Sequence, residues 1–169
     1  MKKKTKEIVL NVKFIPEPDT FNREIYDEDT EKQKKDKIKF PFELKNDVEM
    51  IVETDKRIFV VPIPGGYVWN GADIVVFLWR IIGSRYNPEF RRASMAHDYL
   101  LQFKAYVYQE ILKKQINVKE YRRLTSLIFR HIIKNQGTGT IKANVMSWCV
   151  DVFQMCGIRE WGKCKKTIS

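Results

Sequence analysis

One change of hydrophobic period constrains this chain more than any other feature. Up to Pro64-Gly65-Gly66 the apolar residues come in short, β-branched, partly alternating runs, whereas beyond Tyr67-Val-Trp-Asn-Gly-Ala-Asp they recur at helical spacing. Strand signals grouped first and helix signals grouped second exclude the regular alternation of a doubly wound α/β sheet. The expected class is α+β, a small N-terminal antiparallel β-sheet followed by a three-helix half. A length of 169 residues suits one compact unit, in which residues 1–57 give strands and a charged arm and residues 58–169 the main body.

Residues 7–15 (Glu-Ile-Val-Leu-Asn-Val-Lys-Phe-Ile) read as a strand stopped by Pro16 and Pro18. Residues 19–37 carry almost no aliphatics and read as a mobile loop, or an arm that gains order only on a partner. Strands are then expected over 38–44, 48–53 and 57–63. Asn46-Asp47 and Asp55-Lys56 supply the turns of a small antiparallel meander.

Asn87-Pro88-Glu89 has the N-cap, first-turn proline and acid of a helix start, which predicts a helix over about 88–102 that continues toward Lys114. Asn117-Val-Lys-Glu120 is a capping-box start. Behind it Tyr121, Leu124, Ile128 and Ile132 keep helical spacing until Gln136-Gly137. A third helix is expected over 141–155, with Val145, Trp148, Val152 and Met155 as its apolar stripe and Gly157 as its cap. Trp69, Trp79, Trp148 and Trp161 read as core aromatics, and Cys149 and Cys156 as core filler.

The formal charge of +10 is unevenly spread. Residues 1–60 hold 14 basic and 14 acidic side chains, and residues 61–169 hold 17 and 7. The basic start is followed by no cleavable apolar core, and Ala72–Ile82, the most apolar stretch, is interrupted by Asp73 and Arg80 and is too short to span a bilayer. The expectation is a protein made in the cytoplasm with Cys149, Cys156 and Cys164 as reduced thiols. A zinc site from His97, His131 and the cysteines would need ligand spacings that the sequence lacks.

His97 and Asp98 are the residues richest in chemistry. Neighbours on a helix leave it about 100° apart, so these two are not expected to form a close dyad. His97 shares a face with Phe90, Ala93, Leu100 and Leu101 and looks inward, while Asp98 lies nearer Arg91 and Met95. A lone helical histidine among apolar neighbours reads as a core residue satisfied by a polar partner.

The stretch Gly66-Tyr-Val-Trp-Asn-Gly-Ala-Asp-Ile, the pair Leu78-Trp79, and Ala93-Ser-Met-Ala-His-Asp-Tyr-Leu together resemble DUF1353, a phage-borne family of unknown function. Gly66, Asn70, Gly71, Trp79 and Tyr99 carry the likeness, which covers roughly residues 58–157. Against the family pattern, Asn70 stands in place of an Asp, Asp73 in place of a Ser, Val75 in place of a Pro, and Thr125 where an Asp on the following helix would orient the imidazole. The His-Asp helix is similar to that of secreted phospholipases A2, in which the histidine activates water and the adjacent aspartate holds calcium.

The resemblance implies, as the leading expectation, a structural or accessory component of a tailed-phage virion, from the tail or head-tail region. It would be a non-catalytic scaffold without a cofactor, contacting copies of itself and other virion proteins. The densely charged arm at residues 17–37 suits reaching onto a neighbouring subunit. The alternative is a small hydrolase of lipid or cell-wall esters or amides, with His97, Asp98, Asp73 and Thr125 as its site and a divalent ion at Asp98. A nucleic-acid-binding accessory protein is third. Its basic surface would be Arg91, Arg92, Lys113, Lys114, Arg122 and Arg123, set among further cations that include Lys119, Arg130 and Lys134.

Overall fold

A computed structural model describes residues 7–70, 88–113 and 115–155. Its first half is strand-rich: β1 (Val9–Ile15), β2 (Thr20–Asn22), α1 (Glu31–Lys39), β3 (Phe42–Leu44), β4 (Val48–Thr54), β5 (Ile58–Ile63) and β6 (Val68–Trp69). Its second half holds α2 (Pro88–Gln102), a helical turn at Lys104–Tyr106, a wide π-type turn at Val107–Ile111, α3 (Val118–Asn135) and α4 (Thr140–Met155). The class is α+β, and none of the helices among the described residues is long and apolar enough to cross a membrane.

The strands form two antiparallel sheets, ordered β1-β4-β5 and β2-β3-β6, in place of the single meander expected from the turn signals. The reason lies at Asn46-Asp47. Asn46 Oδ1 accepts from the Asp19 amide at 2.8 Å, and Asp47 Oδ1 accepts from the Gly65 amide at 2.7 Å. Both side chains thus fasten the β3–β4 connection to other loops instead of closing a hairpin. In the first sheet the register places Val12, Val52 and Phe59 in one inward row, with Lys13, Ile51 and Val60 beside it on the outer face. This alternation is the period-2 pattern of the sequence made physical.

The segment expected to be a mobile loop is ordered. Thr30 caps α1 through a complete capping box with Gln33, and Lys37 reaches back to Asp29 at 2.6 Å. Ile38 and Lys39, expected in a strand, close α1, so the strand begins only at Phe42. α1 buries no residue, which is why its sequence shows no apolar period.

At the change of period, a Cβ on Gly65 would lie 2.8 Å from the Lys45 carbonyl oxygen, and Gly66 takes φ +79° while its amide donates to the Leu44 carbonyl at 2.7 Å. Two glycines are therefore needed to bring β6 back alongside β3. There Phe42 faces Trp69, with ring centroids 5.6 Å apart. The Trp69 indole N–H donates to Ser94 Oγ at 3.2 Å and so ties the second sheet to α2.

Both helix starts on Asn signals are observed where described: α2 runs from Pro88, and Asn117 caps α3 with Glu120 completing the box. The expected continuation of α2 toward Lys114 breaks at Phe103 and resumes as the two short turns. α3 packs on α2, on α4 and on β1, and one continuous core joins the sheets to the helices. α4 is turned differently from its expected stripe. It buries Ala143, Met146 and Cys149, whereas Trp148 is 65% exposed and Val145 and Ile141 also face outward. Trp148 is therefore not a core aromatic, because the small and flexible residues Ala143 and Met146 are the ones that join the core. Trp79, Trp161, Cys156, Gly157 and Cys164 lie outside the described residues.

Candidate functional site

α2 presents the His-Asp pair to α3. The His97 side chain is 12% exposed and meets the Phe129 ring edge-on, with centroids 5.7 Å apart and planes at 69°. Asp98 is buried beside it, and its Oδ1 comes within 3.5 Å of His97 Nδ1. The expectation that the two could not approach is thus corrected. Successive Cβ atoms diverge, but torsion about the side-chain bonds bends both tips back into one space, and Nδ1 is the ring nitrogen nearest the backbone. At 3.5 Å the contact is electrostatic more than a well-formed hydrogen bond.

Thr125 is fully buried on the facing helix, and its hydroxyl donates to the Arg122 carbonyl at 2.7 Å. Its proton is thus bound within its own helix. Asn70 is half-buried just beyond β6. Gly71 and Asp73, the second carboxylate of the expected site, lie outside the described residues. Among the described residues no three His, Cys, Asp or Glu side chains come together as a metal site. Asp98 by itself falls short of the six to eight oxygen ligands that calcium takes.

Next to the pair lies an aromatic cluster that the motif reading credits only through Gly66 and Tyr99. Tyr67 stacks on Trp69 at 5.9 Å, meets Tyr99 edge-on at 5.1 Å, and donates its hydroxyl proton to Gln102 Oε1 at 3.1 Å. Tyr99 also packs on Phe103 at 4.6 Å. Burial, and then the neighbouring Tyr106, push the Tyr99 hydroxyl from its ordinary 10 up to about 12. Its oxygen has no hydrogen-bond partner among the described residues. The signal for this cluster was the alternation Tyr67-Val-Trp69, which sets both rings on one face of β6.

The expected basic surface divides in two. Arg91 donates to the Thr20 carbonyl at 3.3 Å and to Asn22 Oδ1 at 3.1 Å, and its guanidinium lies 5.3 Å from the Phe42 ring centre. Burial holds its pKa below the usual arginine value. Arg92 pairs with Glu17 at 2.6 Å, and Arg122 with Asp151 at 3.2 Å. These three cations have intramolecular partners. Arg123 is half-buried on α3, Lys113 is exposed in a left-handed conformation (φ +46°), and Lys114 lies outside the described residues. His131 stands elsewhere on α3, its Nε2 at 2.9 Å from Asn135 Nδ2. Burial, and then Lys134, lower its pKa. The Cys149 thiol is pushed up by burial, as expected of core filler rather than a reactive thiol.

Taken together, these features define an α+β domain whose His-Asp helix is packed against a neighbouring helix and whose β6 return is locked by paired glycines. The chain belongs to the DUF1353 family, described as a protein of unknown function, whose model matches residues 42–150. The match takes in β3 and β4, ahead of the roughly residue-58 start expected from the motifs. No curated protein and no solved structure matches the chain.

Proposed function

We propose that the chain is a non-catalytic structural or accessory component of a tailed-phage particle, holding protein neighbours in the tail or head-tail region. The observation that carries this reading is the packing of His97. A general base must meet substrate and solvent, and most of this imidazole is taken up in the α2–α3 seam against Phe129 and Asp98. Supporting it, the body exposes apolar side chains, among them Ile58 and Val60 on the outer face of the first sheet and the α4 stripe at Ile141 and Trp148. Surface of this kind is suited to contacts with other subunits. The phage setting rests on the family likeness.

The second reading is a hydrolase in which His97 activates water and Asp98 supports it. The 3.5 Å approach of Nδ1 to Oδ1 favours it. The two readings separate in one assay. Purified chain and its His97→Gln variant are each incubated with phospholipid vesicles, peptidoglycan and soluble esters, with and without calcium. Scaffolding predicts that both match the blank, whereas turnover that is lost in the variant would overturn the proposal in favour of hydrolysis.

A further inference from the structure

The cations of α3 that have no carboxylate partner among the described residues are collected on one side of the helix. Lys119, Arg123, Arg130 and Lys134 fall within an arc of about 60°, taking 3.6 residues per turn, and span about 22 Å at about 1.5 Å per residue. The buried residues Tyr121, Leu124, Thr125, Ile128, Phe129 and Ile132 occupy the other side, and the buried Ser126 and Ile133 border the ridge along one edge. Lys119 and Lys134 are exposed, Arg123 and Arg130 half-buried. None of the four has a carboxylate partner among the described residues, and Arg130 Nε finds no acceptor there. The carboxylate of Glu120, the acid closest in sequence, accepts the Asn117 amide at 3.1 Å to close the capping box.

This distribution is distinct from that of the other cations of the body. Arg91, Arg92 and Arg122 neutralise or brace parts of the fold, while the α3 ridge is left with unbalanced positive charge along a straight, rigid element. An acidic protein surface would be expected to meet apolar anchors between the charges, yet only the half-buried Leu127 lies among them. Single-stranded nucleic acid calls for exposed aromatic rings on which bases stack, and the aromatic residues of α3, Tyr121 and Phe129, are buried. A regular duplex backbone needs neither, because it offers closely spaced phosphates to charge alone.

We propose that the α3 ridge of Lys119, Arg123, Arg130 and Lys134 is a docking surface for the phosphate backbone of double-stranded DNA, contacted without regard to base sequence. The proposal goes beyond the assembly reading, which concerns protein neighbours and other faces of the molecule. Four phosphate contacts give a slope of log K against log salt near −3.6, so affinity falls about a hundredfold between about 50 and 200 mM salt.

The test is fluorescence anisotropy of the full chain with a labelled, mixed-sequence DNA duplex of about 20 base pairs, over that salt range. Arg123→Gln with Arg130→Gln should bring the slope to about −1.8, and Lys119→Gln with Lys134→Gln should do the same. The second pair is exposed, so it keeps the test valid should the first pair disturb the helix. Lys32→Gln with Lys35→Gln on α1 removes equal charge elsewhere and should leave the slope unchanged. Four results would overturn the proposal: no binding at about 50 mM salt, an equal loss of slope in the α1 variant, equal displacement of DNA by polyglutamate at matched charge, or equal binding of duplex RNA.

Discussion

The strand-rich half and the helical half carry similar numbers of cations and use them differently. In the first half positive charge is matched locally: Lys37 with Asp29, Arg23 with Asp36 and Glu43, Arg57 with Glu7. In the second half acids are scarce, so Arg91 and Arg92 of α2 reach across to Thr20, Asn22 and Glu17 and bind the two halves together. Among the described residues, the α3 ridge is left without carboxylate partners. Net charge therefore says little about a surface until each cation has been traced to its partner.

The sharpest way to break the comparison is to ask whether the halves are energetically separate. Phe129→Ala empties a fully buried site on α3 and should cost about 3–5 kcal/mol. Because one core joins sheets and helices, amide exchange should accelerate in β4 as well as in α3. Loss confined to the helices would make the halves independent units.

Tyr99 sits on the seam between the second sheet and α2. Its hydroxyl ionises near 10 when unfolded and near 12 when folded. A raised pKa contributes stability that is fully present below pH 10 and lost as the pH climbs through 12, about 2–3 kcal/mol in all. Tyr99→Phe should abolish that alkaline loss. At neutral pH it should leave stability unchanged or raise it by about 1 kcal/mol, because the hydroxyl has no partner among the described residues. Urea midpoints across the pH range check both statements.

Arg91→Met should cost about 1.5–2 kcal/mol and raise amide exchange in β2 ahead of α3, since it removes the guanidinium that ties β2 to α2. Equal exchange throughout would show that the arm is held by something else. Smallest is Thr30→Ala, worth about 1 kcal/mol as a cap. Since α1 buries nothing, the change should fray that helix and leave the global midpoint almost unmoved.

Much of this was legible in the sequence, in places where one physical rule acted alone. Asn117-x-x-Glu120 located a helix start because capping is local, and the Gly65-Gly66 step marked the change of period because backbone space was at stake. The same capping rule, applied to Thr30-x-x-Gln33, would have found α1. It was masked by a density of charge that reads as a loop when no face is buried. Other features depend on tertiary context. Asn46 and Asp47 look like hairpin residues until Asp19 and Gly65 come near enough to claim their side chains. Trp148 looks like core until Met146 and Ala143 take the buried side of α4. The His97–Asp98 approach was hidden because helical spacing specifies where side chains start and says nothing of where their tips end.

The central claim, a structural component of a phage particle, is tested most directly by quantitative mass spectrometry of purified particles. The account predicts that the chain copurifies with intact particles in several copies each and stays with them through density-gradient centrifugation. Its absence from washed particles, with the chain recovered only as a free monomer in the lysate, would contradict it.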